Sequence, residues 1–497
     1  MASCTRRIRA LTLVLTTILL LTPLNAVILP AIAAGSGGQD TRTPIKHVIE
    51  VMMENHSFDN MFGVYPEEIR PGGTFPAANI TIPANLVSSR PSGLLKSVPV
   101  GRFSTPDPIE GYGPYHTDWN HGRMNGFANG SGPQSMYYFT SAQIAPEFDL
   151  AEEFSLADRY FASYLSETDP NRLMSLAGYT PITSDQNPPP EIPVAQSIFY
   201  ELASHDILWK YYVQTPNGIP YPLNYFQGIT RYSANIAPWS GFVSDVNSGS
   251  LPPVSFVMPV GGGASGYSQH PSDNVLIGEM WLLYIVDIVM HSAEWNSTAI
   301  FINYDEGGGY YDQVAPPATC GVQLGFRVPM FLISPYAKED YVSDTVMNHA
   351  SILAFIDYNW RLPALNRFVS YSNLPLDMFN FNRTYPGGFI RRQPINMAGF
   401  FGNLVPSSIS FGYGSSREPV NLSSYFPMPL QIPVGYLPYT LNGSGESNLS
   451  MQNTSVFVPA NYGVYAASYY VTLGTFFAII SVLSVIGVFL KRRRKNK

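Results

Sequence analysis

The segment Ile45 to Met53 (IKHVIEVMM) is a near-continuous apolar run that stops abruptly at Glu54-Asn55-His56-Ser57-Phe58-Asp59. A run of this length without strict alternation reads as a strand buried on both faces, the habit of parallel sheets, and it puts the polar cluster at the strand's carboxyl end. Similar short runs follow at Asp206 to Val213, Val254 to Val260, Thr298 to Tyr304 and Val328 to Ser334. Asp273 to Trp295 repeats apolar residues at helical spacing and carries Glu279 and Asp287, which makes it a core helix and not a membrane span. Strands alternating with helices predict an α/β protein whose mostly parallel central sheet has helices on both faces.

Ligands of such sheets bind outside the carboxyl ends of the strands. Two of these ends carry paired oxygen-bearing side chains, Glu54-Asn55 and Asp305-Glu306, the second pair followed by Gly307-Gly308-Gly309. Carboxylate and amide oxygens converging from two strand ends make a hard-cation site, suited to calcium, magnesium or manganese and not to thiolate-loving metals. No Cys or His cluster has zinc-finger spacing.

The two ends of the chain read differently from the body. Arg6, Arg7 and Arg9 precede an apolar run from Leu11 to Leu21, and small residues follow to Gly35, the pattern of a secretory signal over residues 1–34. Residues 466–490 are uncharged and long enough to cross a bilayer, and a basic cluster from Lys491 to Lys497 follows directly. The positive-inside rule then makes 491–497 a cytoplasmic tail and leaves the body outside the cell, anchored in the cell membrane by a single helix. Between them the expected organisation is a folded body over 35–372 and a peripheral, glycosylated stalk over 373–465, where regular periodicity gives way to Pro, Asn, Ser and Tyr. Sequons at Asn79, Asn129, Asn296, Asn382, Asn421, Asn442, Asn448 and Asn453 suit a glycosylated exterior.

The whole chain has a formal net charge of -7, and the basic residues of its two ends mask a still more acidic body. Such a body does not attract nucleic acid by bulk electrostatics. Only 13% of residues are charged, against about a quarter in ordinary soluble proteins. With Cys4 inside the leader, Cys320 has no partner for an internal disulfide, so stability rests on core size. Few charges, many hydroxyls and no disulfide suit a hot or acidic exterior.

The segment Ile45 to Gly63 (IKHVIEVMMENHSFDNMFG) resembles the opening motif of the bacterial and archaeal phosphoesterase family that includes phosphatidylcholine-type phospholipases C and a group of acid phosphatases. The resemblance continues through ETDPNR at Glu167 to Arg172, QHP at Gln269 to Pro271, Trp295 to Val314, GFRVPMFLISP at Gly325 to Pro335 and NHASILAFI at Asn348 to Ile356. Six motifs in order across 45–362 are far more specific than any one. The family is alkaline-phosphatase-like, which implies the same parallel sheet. Carried over position by position, Glu54, Asn55, Asp305 and Glu306 match its metal ligands, and Thr168 matches its hydroxyl nucleophile, itself in contact with the metal.

The resemblance implies a metal-dependent phosphoesterase acting through a phosphothreonine, with phosphate esters, phospholipids among them, as substrates. Arg172 is a candidate phosphate clamp beside Asn171, and His116 and His270 are candidate acids for the leaving oxygen. His349 resembles a family position at a helix start, while His47, His205 and His291 read as structural. Two departures stand out: His56 replaces the usual Arg after Asn55, and Gly307 replaces the histidine of the usual Asp-Glu-His-Gly-Gly. Asn55 also heads a sequon, which a metal-binding amide leaves unmodified. A sulfatase reading fails because Cys320 is followed by Gly321-Val322-Gln323 and lacks the Cys-x-Pro-x-Arg context. A non-catalytic cell-surface glycoprotein retaining the fold is the remaining alternative, and nothing in a binding role explains five chemistry-bearing residues kept together.

Overall fold

A computed structural model describes residues 40–63, 103–139, 143–189, 191–214, 218–259 and 266–382, and the backbone of short strands within 87–99 and 409–420. The leader 1–34, residues 383–408, the segment 466–490 and the tail 491–497 lie outside the described residues, as does nearly all of the expected stalk. Among the described residues no helix is long and apolar enough to cross a membrane.

Eight strands form the central sheet: β1 (His47–Met53), β2 (Ser155–Ala157), β3 (Trp209–Val213), β4 (Ile236–Pro238), β5 (Val254–Val257), β6 (Thr298–Tyr304), β7 (Met330–Ile333) and β8 (Tyr341–Ser343). Their spatial order is β4-β3-β5-β1-β6-β7-β2-β8. The pairings from β4 through β6 are parallel, β7 runs antiparallel to both β6 and β2, and β8 is parallel to β2. The expected mostly parallel sheet is therefore present, and all five apolar runs supply strands to it. The run from Asp206 starts its strand only at Trp209, because the Ile207 N–H bonds the Leu202 carbonyl and Asp206 turns with φ 56°.

β1 is buried from Val48 to Met53 because it lies between β5 and β6 with helices above and below. Helices α1 (Phe58–Phe62), α2 (Tyr112–Trp119), α3 (Ala145–Glu153), α4 (Thr168–Ala177), α5 (Ile198–Ser204), α6 (Trp239–Ser248), α7 (Val275–Met290) and α8 (Ala350–Trp360) complete the body. Alternation along β6 divides them, since neighbouring residues of a strand point to opposite faces. Phe301 packs edge-on against Phe355 of α8, whereas Phe331, paired with Ile302, meets Phe62 of α1, which stacks on Phe148 of α3. The expected helix within 273–295 is α7, capped by Asn274, whose side chain accepts from the Leu276 N–H. Packing on the body continues past residue 373: Phe379 stacks on Phe355, and the Met378 carbonyl accepts from the Ser155 hydroxyl.

Candidate active site

Register decides where the two oxygen-bearing pairs emerge. Met53 lies opposite Tyr304 in the parallel β1–β6 ladder, so Glu54-Asn55 and Asp305-Glu306 leave the sheet side by side. Asp305 ties the two ends together. Its N–H donates to the Met53 carbonyl at 3.1 Å, and its Oδ1 accepts the backbone N–H groups of Asn55 (3.2 Å) and Glu306 (2.9 Å). Asn55 adopts φ 64°, the left-handed conformation that asparagine tolerates better than most residues. Gly308, at φ +61°, lies so close to it that a Cβ would sit 2.1 Å from the Asn55 carbonyl oxygen. Gly307 has no such constraint: a Cβ there would meet its nearest atom at 3.4 Å.

Helix α4 supplies a cationic side chain to the site. Arg172 donates from Nε to Asp305 Oδ2 at 3.0 Å and from Nη2 to Glu54 Oε1 at 2.8 Å, so its guanidinium is engaged by two carboxylates. Thr168 is the first residue of α4, half-buried, one turn before Arg172 and hence on the same helix face. Asn171 is fully buried and holds the turn leading into Thr168: its amide donates to the carbonyls of Tyr164, Ser166 and Glu167, and its Oδ1 accepts from the Tyr164 N–H. The structure thus gives Asn171 a structural hold on the loop before Thr168 and gives Arg172 a hold on the carboxylates of Glu54 and Asp305.

Of the two candidate histidines, His270 joins this group. Burial works against its charged form, yet the carboxylates of Glu110, Glu54 and Asp107 around it raise its pKa above the ordinary value. His116 lies on α2, its Nδ1 against the Tyr112 carbonyl and its ring against Tyr112 and Trp119. The neighbouring Tyr115 is the α2 residue that reaches the site, its hydroxyl donating to Glu306 Oε2 at 2.6 Å, where the Gly308 N–H also donates at 2.7 Å. His349 is buried with Nε2 at the Tyr304 carbonyl and Nδ1 accepting from the Ser163 N–H. His56 is buried between the Asn60 amide oxygen and the Gln269 carbonyl, stacked on Tyr310.

Sequence reasoning missed Asp107 and Glu110. Asp107, Glu110 and His270 bring one ligand-type atom each within 4.8 Å of one another, and Glu110 Oε1 accepts from Asn55 Nδ2 at 2.6 Å. The two acids sit in the loop TPDPIEG, where no periodicity marks them; their three-residue spacing beside Pro108 was the only signal.

The electrostatics of the group are those of a site short of positive charge. Burial, together with Glu110 and Asp305, holds Glu306 well above the usual carboxylate range. Burial pushes Asp305 up to about 6 in spite of Arg172, and burial with Asp107 pushes Glu110 up to about 8. Asn55 Oδ1 and Glu306 Oε1 are both buried without a hydrogen-bond donor. Other buried acids carry orphaned oxygens too, but these two stand at adjacent strand ends beside the carboxylates of Glu54 and Asp305, a set that fits a hard cation held by Glu54, Asn55, Asp305 and Glu306. Asn55 is wholly buried, with its amide nitrogen committed to Glu110, an arrangement that leaves no room for a glycan at its sequon.

The protein is thus of the α/β class, with a cluster of buried acids at the carboxyl ends of its sheet's middle strands. The model of the phosphoesterase family matches residues 45–363, well over half of the chain, and the protein belongs to that family. Among its relatives, phospholipase C B of Mycobacterium tuberculosis is 26% identical over 398 residues, spanning 65% of this chain and 75% of the relative. The non-hemolytic phospholipase C of Pseudomonas aeruginosa is 27% identical over 378 residues, spanning 63% of this chain and 53% of that one. Among solved structures, the phosphonate monoester hydrolase of Agrobacterium radiobacter aligns over 69% of this chain and 79% of its own with a TM-score of 0.36 and 10% identity.

Proposed function

We propose that this member of a family of phosphoric ester hydrolases works in two steps, with Thr168 carrying the phosphoryl group between them, on phospholipid headgroup esters or phosphomonoesters. The observation that supports this reading most is the pair of orphaned buried oxygens, Asn55 Oδ1 and Glu306 Oε1, at adjacent strand ends whose Glu54 and Asp305 are bonded by Arg172 of the helix that Thr168 begins. A divalent cation held by Glu54, Asn55, Asp305 and Glu306, with Thr168 against it, would favour ionisation of the threonine hydroxyl and offset charge on the phosphoryl oxygens.

The chain's own residues supply the rest. The Thr168 hydroxyl gives up its proton to solvent, its Oγ–phosphorus bond forms as the ester's phosphorus–oxygen bond breaks, and His270, whose pKa the surrounding carboxylates raise, gives a proton to the departing oxygen. Water then attacks the phosphothreonine, releasing phosphate or a phosphorylated headgroup and restoring the hydroxyl. Asn171 and the α4 N-terminus keep Thr168 in place, while Arg172 holds Glu54 and Asp305 in register. Export through 1–34 and anchoring by 466–490 would place this site outside the cell, a reading supported by the sequence alone.

Turnover of p-nitrophenyl phosphate and of phosphatidylcholine by the full chain, before and after chelation, tests the reading. Chelator is expected to abolish activity on the true substrate, with manganese or calcium restoring it. Thr168→Ala is expected to lose at least about a thousandfold in kcat, the scale on which nucleophile removal acts. Wild-type turnover by that variant would remove Thr168 from the mechanism.

A further inference from the structure

The Asn55 side chain can serve a cation only through Oδ1, since its Nδ2 is a donor with no lone pair to offer. Its backbone is already fixed: φ is 64°, its N–H is bonded to Asp305 Oδ1, and Gly308 covers its carbonyl. What remains free is rotation of the terminal amide by half a turn, which would exchange oxygen for nitrogen at the cation position. Glu110 removes that freedom. Its Oε1 accepts from Nδ2 at 2.6 Å, and the carboxyl of Asp107 lies beside it. With Glu110 Oε1 as the acceptor, the flipped amide would set one oxygen against another and leave Nδ2 in the place of Oδ1.

We propose that Glu110 is a positioning residue, which by holding the Asn55 amide nitrogen fixes the amide oxygen toward the cation site. It acts through Asn55 and is not itself placed as a ligand. The inference rests on the cation reading above, and it goes beyond it in assigning a role to a residue outside the four expected ligands. Residues that orient metal ligands commonly change metal affinity by about 10- to 100-fold when removed.

Manganese binding to the full chain, followed by isothermal titration in the absence of substrate, separates the possibilities. Glu110→Ala is expected to weaken manganese binding by about 10- to 100-fold. Glu110→Gln, which keeps an acceptor oxygen for Nδ2, is expected to stay within about threefold of wild type, because loss of the acceptor and not of the charge is what matters. Asn55→Ala reports on the underlying site. If it weakens binding while Glu110→Ala does not, the positioning role is overturned and the cation site stands. If Asn55→Ala leaves manganese binding unchanged, the cation reading itself fails. Equal losses in Glu110→Gln and Glu110→Ala would overturn positioning by making Glu110 a ligand or a charge partner. Circular dichroism of each variant checks that a loss is not unfolding.

Discussion

Adjacent residues at this site have opposite tolerances. Gly308 needs its left-handed backbone and has no space for a methyl group, whereas Gly307 has both an ordinary conformation and room. Gly308→Ala should therefore lower stability by about 1–3 kcal/mol, the cost of a forced backbone conformation, and cut kcat/KM with it, while Gly307→Ala leaves both near wild type. Thermal unfolding and steady-state kinetics of the two variants check this contrast. Arg172 makes a second test. Replacing it by Met strands Glu54 and Asp305 together in a buried site, which should cost about 3–5 kcal/mol in chelator, and the same uncompensated charge should make divalent cations bind more tightly than in wild type. Denaturant unfolding with and without manganese would show it as a large destabilisation that added metal reverses. Glu54, Asn55, Asp305 and Glu306 were legible because each directly follows a strong apolar run. Tyr115 was not, and its neighbour His116 drew attention by its chemistry; a helix turns about 100° per residue, so consecutive residues of α2 face different surroundings.

At the level of elements, the long strands announced themselves and the short ones did not. β1 and β6 are seven residues each and buried nearly throughout, which leaves an unbroken apolar signature. β2, β4 and β8 have three residues apiece, too few for any period to emerge, and their pairing is set by neighbours distant in the chain. The loop that carries Asp107 and Glu110 has no periodicity at all, so only folding reveals that it crosses the carboxyl ends of β1 and β6. Since those two strands aim the four oxygen-bearing side chains, damage inside them should be felt as lost stability. Ile49, fully buried in β1, should cost about 2–5 kcal/mol when cut to Ala, seen as a lower urea midpoint with an unchanged slope.

Over the whole molecule, buried acids set the response to pH. Burial pushes Glu50, Glu147 and Asp158 each up to about 7, and Asp357 up to about 8. A carboxyl that binds its proton more tightly when folded stabilises the fold below its unfolded pKa and loses that contribution as pH rises through its folded one. These four groups therefore favour the folded state near pH 4 and lose that contribution between about pH 4 and 8. His56 and His349 act in the opposite sense: burial lowers each to about 4, so their contributions, each on the order of 3 kcal/mol, are present above about pH 6.5 and lost as pH falls toward 4. The acids outnumber them. Melting temperature measured in chelator should fall from pH 5 to pH 8, in keeping with the acidic exterior that the sparse surface charge suggests, and a rising profile would contradict the assignment.

In the proposed mechanism Thr168 carries the phosphoryl group. Acid quenching of the full chain during turnover of a radiolabelled substrate, followed by mapping of the modified peptide, tests it. One phosphoryl group is expected on the peptide containing Thr168, absent after chelation and absent in Thr168→Ala. Label on any other residue, or full turnover with no covalent label under any quench condition, would contradict it.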